Sequence, residues 1–452
     1  MNENLRDNLK KLIASIETTR FLKLQNYYEG QPEIMSRVIK DGKPNNKIPS
    51  SYAISSVDTM TGYFMGKPVV YGASDDNDWL EELTMVFDAN DEYDINAEHT
   101  KQACVKGKSF ELVFADEEGD LRFAQLTREN CVLVYDSKII PNLIGAIIIT
   151  KQGEDEYPEK VMVVDENYNY YYTYSHNGYV EDENSPMEHF FKEVPVIDFS
   201  LNTEGIGLFE KAIPNIDAFD KAISDTANDM EYFTDAYLWL PGFGDFDLTN
   251  DEDAEKIKGM RNNRVFLPSG NDTNDKPEFI IKTINDQASE NHKERLKEEI
   301  YKILNMPDLS DENFGGTQSG VSLAYKLWGL ENVCGAFERR FKKALTKRIR
   351  LIATYLNYLS PEGAQPYDEN DITMQFTRNI PDNISDMVLL AEKMRGLLSD
   401  ETLISQFEFI EDAVEEMEKR DAEQAGKIDL YNVKPVDPSK YPDEKDETEE
   451  GE

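Results

Sequence analysis

A mainly helical α+β chain is the class this sequence predicts, on three observations. Apolar residues recur at helical spacing through several long segments. A block of short alternating or apolar runs interrupts them across residues 109–199. One helical pattern in the last third continues for roughly 40 residues, far beyond an ordinary globular helix. With 452 residues the chain can form about three domains around a sizeable core.

Residues 1–26 place Leu5, Leu9, Leu12, Ile13 and Ile16 on one face between charges, which predicts a single helix and no signal-peptide run. Residues 31–49 read as a polar loop punctuated by Pro32, Pro44 and Pro49. A helix over 51–64 leads into a strand at 68–71, and helices over 78–90 and 93–105 follow. Strands are predicted at 109–115, 121–126, 132–135 and 145–151, the first two joined by an acidic turn ending in Gly119 that suits a hairpin. Further strands at 160–164, 169–174 and 194–199 extend this meander into a body with a mostly antiparallel sheet.

A second long amphipathic helix, from 207 to about 239, carries Ile213, Ile216, Phe219, Ile223, Met230 and Phe233. Residues 241–285 are rich in Gly, Asp and Asn, with small strand candidates at 264–267 and 278–283. In 286–305, Leu296, Ile300, Ile303 and Leu304 again follow helical spacing, until Pro307 stops the helix. A helix capped by Ser319 or Ser322 then keeps Leu323, Leu327, Leu330, Phe337, Phe341, Leu345, Ile349, Ile352 and Leu356 on one face to Leu359. At 1.5 Å per residue it is about 60 Å long. Between these helices Asp308, Leu309, Ser310, Asp311, Glu312, Asn313, Phe314, Gly315, Gly316, Thr317, Gln318 and Ser319 offer one buriable aromatic and two glycines, too little for a core, which predicts an exposed loop. A strand at 372–376 and helices at 385–398 and 402–425 follow, the last acidic through Glu411, Asp412, Glu415, Glu416 and Glu418. The low-complexity acidic end, 431–452, is expected to be disordered.

The formal net charge is -41, whereas a protein that grips nucleic acid usually clusters Lys and Arg. One basic run stands against this: Arg339, Arg340, Lys342, Lys343, Lys347, Arg348 and Arg350. Cys104, Cys131 and Cys334 show no paired spacing, so neither a zinc site nor a disulfide framework is indicated and folding in a reducing cytoplasm is expected. The longest apolar stretch, 143–149, is strand-sized, and a soluble chain with no membrane span is expected. Gly107-Lys108-Ser109 lacks the earlier glycine of a phosphate-binding loop, and Gly62 to Lys67 is followed by Pro68 where a hydroxyl would meet magnesium. His99, His176, His189 and His292 have no neighbours at ligand spacing and read as inert. Acidic clusters around Asp76 and Asp371 lack EF-hand spacing and read as solvated turns; holding a metal for DNA cleavage is their alternative role. No metal and no cofactor are expected.

Tyr27-Tyr28-Glu29-Gly30, Lys43-Pro44-Asn45-Asn46-Lys47 and Gly62-Tyr63-Phe64-Met65-Gly66-Lys67-Pro68 follow one another in order. Ser399-Asp400-Glu401-Thr402 later opens the acidic helix pair. With the order helix, Gly-Gly loop, very long helix, these stretches make most of the chain resemble the portal, or head-to-tail connector, proteins of tailed double-stranded DNA phages, in the siphophage-type family of Gram-positive hosts. The resemblance implies a portal fold of wing, stem, clip and crown with long helices around a central channel. It divides the chain into wing 1–206, stem helix 207–239, clip 240–285, stem helix 286–305, tunnel loop 306–320, long helix and wing return 321–375, crown 376–430 and acidic tail 431–452. It implies no enzyme but a homo-oligomeric ring, a dodecamer, at one capsid vertex of the virion, made in the host cytoplasm. Its partners would be the terminase large subunit, major capsid and scaffolding proteins, a head completion or adaptor protein, and double-stranded DNA in transit. Residues 209–233 and 286–305 would line the channel and Asp308 to Ser319 would narrow it. Arg339, Arg340, Lys342, Lys343 and Lys347 would contact phosphate or, favoured in so acidic a chain, a neighbouring subunit. The alternative from another class is a metal-dependent DNA-processing enzyme of a mobile element.

Overall fold

The computed structural model describes residues 8–39, 43–73, 78–152, 157–175, 178–233, 237–239, 265–266, 278–280, 286–308, 320–361, 364–380 and 392–404, with isolated positions within 252–259 and 416–420. The chain forms two compact units, residues 1–379 and 380–452.

The expected N-terminal helix is two helices, α1 (Leu9–Ala14) and α2 (Thr18–Tyr28). The Ser15 hydroxyl donates to the Leu12 carbonyl at 2.6 Å and draws the chain out of the helix. Packing explains the break. Leu9 and Ile13 join a core with Ile147, Val161 and Tyr172, whereas α2 buries Phe21, Leu24 and Tyr27 against other helices of the body, and one straight rod cannot serve both. A 3₁₀ turn (Glu33–Ser36) that buries Ile34 interrupts the loop that follows. Next come α3 (Tyr52–Met65), β1 (Val70–Ala73), α4 (Trp79–Asp88) and α5 (Glu92–Lys106), close to expectation.

The meander divides into two sheets where a single one is expected. Strands β2 (Lys108–Ala115) and β3 (Leu121–Leu126) pair with β10 (Val196–Ser200) in the order β10-β2-β3. Strands β4 (Cys131–Tyr135), β5 (Leu143–Lys151), β6 (Lys160–Val164), β7 (Tyr168–Ser175) and β8 (Gly178–Glu181) form an antiparallel sheet in sequence order, with β9 (Met187–Glu188) added to β7. Alternation explains the separation. Ile147, Ile149, Val161 and Val163 face α1, while Ala146, Ile148, Met162 and Val164 share a core with Phe110 and Val196 of the smaller sheet. Both faces are covered, so β5 and β6 read as unbroken apolar runs.

Helix α6 (Ile213–Phe233) ends before the expected 239, and Tyr237–Trp239 is strand β11. Tyr237, Leu238 and Trp239 favour extended backbone and Pro241 lies just beyond. Strand β11 pairs antiparallel with β13 (Glu278–Ile280) and parallel with β12 (Val265–Phe266). Helix α7 (Asp286–Leu304) and the 40-residue α8 (Gly320–Leu359) match the periodicity. Strand β14 (Ile372–Gln375) pairs with β1, joining segments far apart in sequence. In the second unit the helix expected to reach 398 ends at Met394, where Gly396 adopts φ +86°, and α9 (Asp400–Ile404) begins with the Ser399 hydroxyl accepting from the Thr402 N–H at 3.2 Å. The remainder of the two predicted C-terminal helices and the acidic end lie outside the described residues.

Helix α6 has a polar stripe that a simple amphipathic reading assigns to solvent. Instead it holds an extended segment of backbone. The Asn46, Ile48 and Ser50 N–H groups donate to Asn228 Oδ1 (2.6 Å), Ser224 Oγ (3.0 Å) and Asp220 Oδ1 (2.8 Å), while Arg37 pairs with Asp225. Asp220 and Ser224 are fully buried, and burial pushes the Asp220 carboxyl up. The start of α6 is set by contact with the end of α5. A Cβ on Gly107, at φ +80°, would stand 2.3 Å from the Gly205 backbone, and Arg20 grips Glu210 through two bonds of 2.7 and 3.0 Å.

Helix α8 is fixed to this body by an aromatic group, Phe337 and Phe341 against Phe64 and Phe199, and by one buried charge. Arg348 is 0% exposed. Its guanidinium donates to both Glu111 oxygens at 2.8 and 2.5 Å, to Asn96 Oδ1 at 2.8 Å and to Glu92 Oε1 at 3.3 Å, with Phe123 and Phe199 over its faces. The Tyr71 hydroxyl also donates to Glu92, at 2.5 Å. His99, read from sequence as inert, completes the network, 2.9 Å from Glu111 Oε2, 2.8 Å from Ser109 Oγ and stacked on Phe199. Burial by itself would raise the Glu111 carboxyl, but Arg348 and His99 outweigh it and hold it below the usual range.

Arg348→Met leaves Glu111 and Glu92 buried without their cation and should lower the unfolding free energy by about 3–5 kcal/mol, measured by urea denaturation. Burial lowers the His99 pKa below its ordinary 6.5, so on acidification the unfolded chain takes up a proton that the folded chain refuses. Stability therefore falls as pH drops below about 6.5, and His99→Gln should flatten that part of the stability profile.

Candidate functional site

The described residues that flank the glycine-rich segment between α7 and α8 are firmly built. Helix α7 does not simply stop at Pro307. Asn305 takes φ +55°, its N–H donates to the Lys302 carbonyl at 3.3 Å, and the Met306 N–H reaches back to the Tyr301 carbonyl at 3.2 Å, which is a Schellman termination with proline just beyond it. Leu304 and Met306 are buried. Lys297 Nζ, about two turns before the end of the helix, then holds the Asp308 carboxylate at 2.7 Å, fixing the direction in which the chain leaves.

The opposite side of the base is α8. A Cβ on Gly329 would stand 3.0 Å from the Asn305 carbonyl oxygen, so α8 crosses the end of α7 at a distance that a side chain would strain. Helix α6 braces α7 through Thr226 and Ser289 (3.2 Å), and Tyr52 of α3 packs edge-on to both Phe219 of α6 (5.1 Å) and Tyr301 of α7 (5.7 Å). Of the predicted loop residues Asp308 is thus placed at the anchored base; Leu309, Ser310, Asp311, Glu312, Asn313, Phe314, Gly315, Gly316, Thr317, Gln318 and Ser319 lie outside the described residues.

The basic run does not act as one surface. Arg348 is inside the core, and Arg350 forks onto Glu193 at 2.7 and 3.0 Å. Lys347 donates to the Val196 carbonyl at 2.8 Å, and burial lowers its pKa to about 8. Arg340 donates to Thr203 Oγ1 at 2.8 Å. Arg339, Lys342 and Lys343 are exposed, along a cleft of about 740 Å³ between α8 and β10. The run was separable in sequence: Arg348 lies three residues after Leu345 and four before Ile352, in phase with the apolar face. The backbone clamp on α6 carried no such signal, because Asp and Asn on a helix look solvated.

Gly107 terminates α5 in a left-handed conformation, and Gly62 lies within α3. His189 pairs with the Asp165 carbonyl at 2.9 Å, His292 is exposed and His176 lies outside the described residues. The Asp368 carboxylate accepts from the backbone and side chain of Asn370 at 2.8 and 2.7 Å, and the cluster around Asp76 lies outside the described residues. Among the described residues no group of three or more His, Cys, Asp and Glu is arranged to hold a metal ion, and no helix is long and apolar enough to cross a membrane.

The long helices α7 and α8 on an α+β body agree with the phage portal class. The chain belongs to the phage portal proteins of the SPP1 Gp6-like family, whose family model matches residues 10–429. It is 27% identical over 417 residues to the portal protein of Bacillus phage SPP1, covering 89% of this chain and 80% of that protein. It is 24% identical over 462 residues to the portal protein of Clostridium phage phiCD119, covering 94% and 98% respectively. Among solved structures it is similar to a chain in the neck of an empty gene transfer agent particle, with a TM-score of 0.41 and 12% identity, covering 84% of this chain and 91% of that one.

The contact at Gly329 makes a graded prediction. Alanine gains up to about 1 kcal/mol of helix propensity, which roughly offsets a shift of a few tenths of an ångström at Asn305. Gly329→Ala should be near neutral, whereas Gly329→Leu should cost about 1–3 kcal/mol in thermal unfolding by pushing α7 and α8 apart.

Proposed function

We propose that this portal-family chain assembles into a ring, a dodecamer, at one vertex of the capsid, and that DNA enters and leaves the phage head through the channel of that ring. A separate terminase motor supplies the work, and the chain itself hydrolyses nothing. The observation that carries this reading is the family match across residues 10–429. The build of the loop base agrees with it: a segment tied at Asn305, Asp308 and Gly329 can change shape between its anchors without loosening the helices that carry them.

In this reading α6 and α7 are the stem that walls the channel, and residues 308–319 narrow it. Residues 1–206 form the wing, with α8 and its return strand packed on it, 240–285 the clip that meets the terminase large subunit or a head completion protein, and 376–430 the crown. Major capsid and scaffolding proteins surround the ring, and the chain is made in the host cytoplasm before joining the virion. A net charge of -41 suits a conduit, since a wall that bound each phosphate firmly would resist sliding. Arg339, Lys342 and Lys343 fit contact with an acidic neighbour better than contact with DNA, because so acidic a chain presents carboxylates to every neighbour.

Gly315→Pro with Gly316→Pro removes backbone freedom without touching the described anchors. Rings should form normally and DNA packaging, measured as nuclease-protected DNA in assembled heads, should fail. Normal packaging by this variant would remove the loop from the mechanism.

A further inference from the structure

The turn between β4 and β5 presents two isoleucines to solvent, Ile139 at 102% and Ile140 at 79% exposure. The turn is tightly tied. Asp136 accepts from the Lys138 N–H (3.3 Å), the Asn142 N–H (2.9 Å) and the Asn142 side chain (3.1 Å), pairs with Lys138 Nζ at 2.9 Å, and donates its own N–H to the Asn142 carbonyl at 2.9 Å. A built turn that holds two adjacent large apolar side chains outward offers a small apolar contact surface. At the root of the same hairpin Tyr135 and Leu143 line the cleft that holds Arg339, Lys342 and Lys343, so an apolar tip and a basic floor are continuous.

A second cleft of the same body has the complementary character. It encloses about 480 Å³ next to β6 and β7, walled by Met162, Met187 and Phe190 and rimmed by Glu117, Glu118 and Glu188. Met187, Phe190 and all three glutamates are exposed. No residue of the turn lines this cleft, so a cleft of the same kind on another molecule is open to receive it.

We infer that the Ile139–Ile140 hairpin of one copy inserts into the Met187–Phe190 cleft of a second copy, with Arg339, Lys342 and Lys343 against its glutamate rim. The inference rests on the ring reading above and names the contact that closes it. Two different patches meeting head to tail generate a ring when the rotation closes, which a self-complementary patch does not. Apolar insertion supplies the affinity and the charges set direction and register.

The experiment compares particle mass in solution for the wild-type full chain and its variants. Ile139→Asp with Ile140→Asp should weaken assembly at least about tenfold while leaving the unfolding transition of the monomer unchanged, since both positions are exposed. Reversing the floor with Arg339→Glu, Lys342→Glu and Lys343→Glu should also reduce assembly, and adding Glu117→Lys, Glu118→Lys and Glu188→Lys to that chain should restore it. Ile140→Cys combined with Met187→Cys should give a covalent ladder of subunits on oxidation, against a background of three buried native cysteines. Intact rings from the double aspartate variant, or no ladder from a ring-forming double cysteine variant, would overturn this contact and leave the ring itself standing. Intact rings from the floor-reversal variant with lost binding of duplex DNA would overturn it in favour of phosphate contact. A wild-type chain that never forms rings would overturn the ring reading and this contact with it.

Discussion

The architecture depends on where one cation is buried. Arg348 joins a 40-residue helix to α5 and β2 through Glu111, Glu92 and Asn96, with Tyr71 of β1 and His99 completing the cluster. Taking these charges out of water costs several kcal/mol per ion, which their attraction offsets only in good geometry. The apolar contacts of α8 would survive small slides along its axis, since Phe and Leu pack tolerantly. A forked guanidinium held by two carboxylates and an amide would not. The network therefore sets the register of α8 on the body, and with it the position of Gly329 against the end of α7.

Rigidity is concentrated in the helices on either side of the glycine-rich segment. The clamp of residues 46–50 on α6, the Schellman end of α7 and the Arg348 cluster fix the helices, and the anchors at Asp308 and Gly329 bring that order to the edge of the glycine-rich segment. On the proposed reading, walls that hold their register are what a conduit for a helical polymer requires.

Long periodic elements were legible in the sequence. Helices α7 and α8 were bounded within a residue or so, and β3 and β6 were found at their observed limits. Junctions and polar interiors were harder. The break at Ser15 follows from two cores claiming opposite halves of one apolar stripe, and the separation of the meander into two sheets follows from pairing across residues far apart. Tyr237–Trp239 lost its helical continuation to a strand pairing that periodicity does not register. Arg348 keeps the phase of the apolar face, but its carboxylate partners lie 237 and 256 residues away, and His99 meets Ser109 and Glu111 only where the chain turns from α5 into β2. Buried polar groups are defined by what the fold brings to them, so the helices flanking the glycine-rich segment were legible, whereas the Lys297–Asp308 and Gly329 contacts at their ends and the Arg348 network were not.

Electron microscopy of the purified full chain, with particle mass measured in solution, tests the central claim most directly. The account predicts hollow rings of about twelve subunits, since closure by identical contacts is the condition for everything else proposed of the chain. A species that remains monomeric at every salt concentration and protein concentration would contradict it.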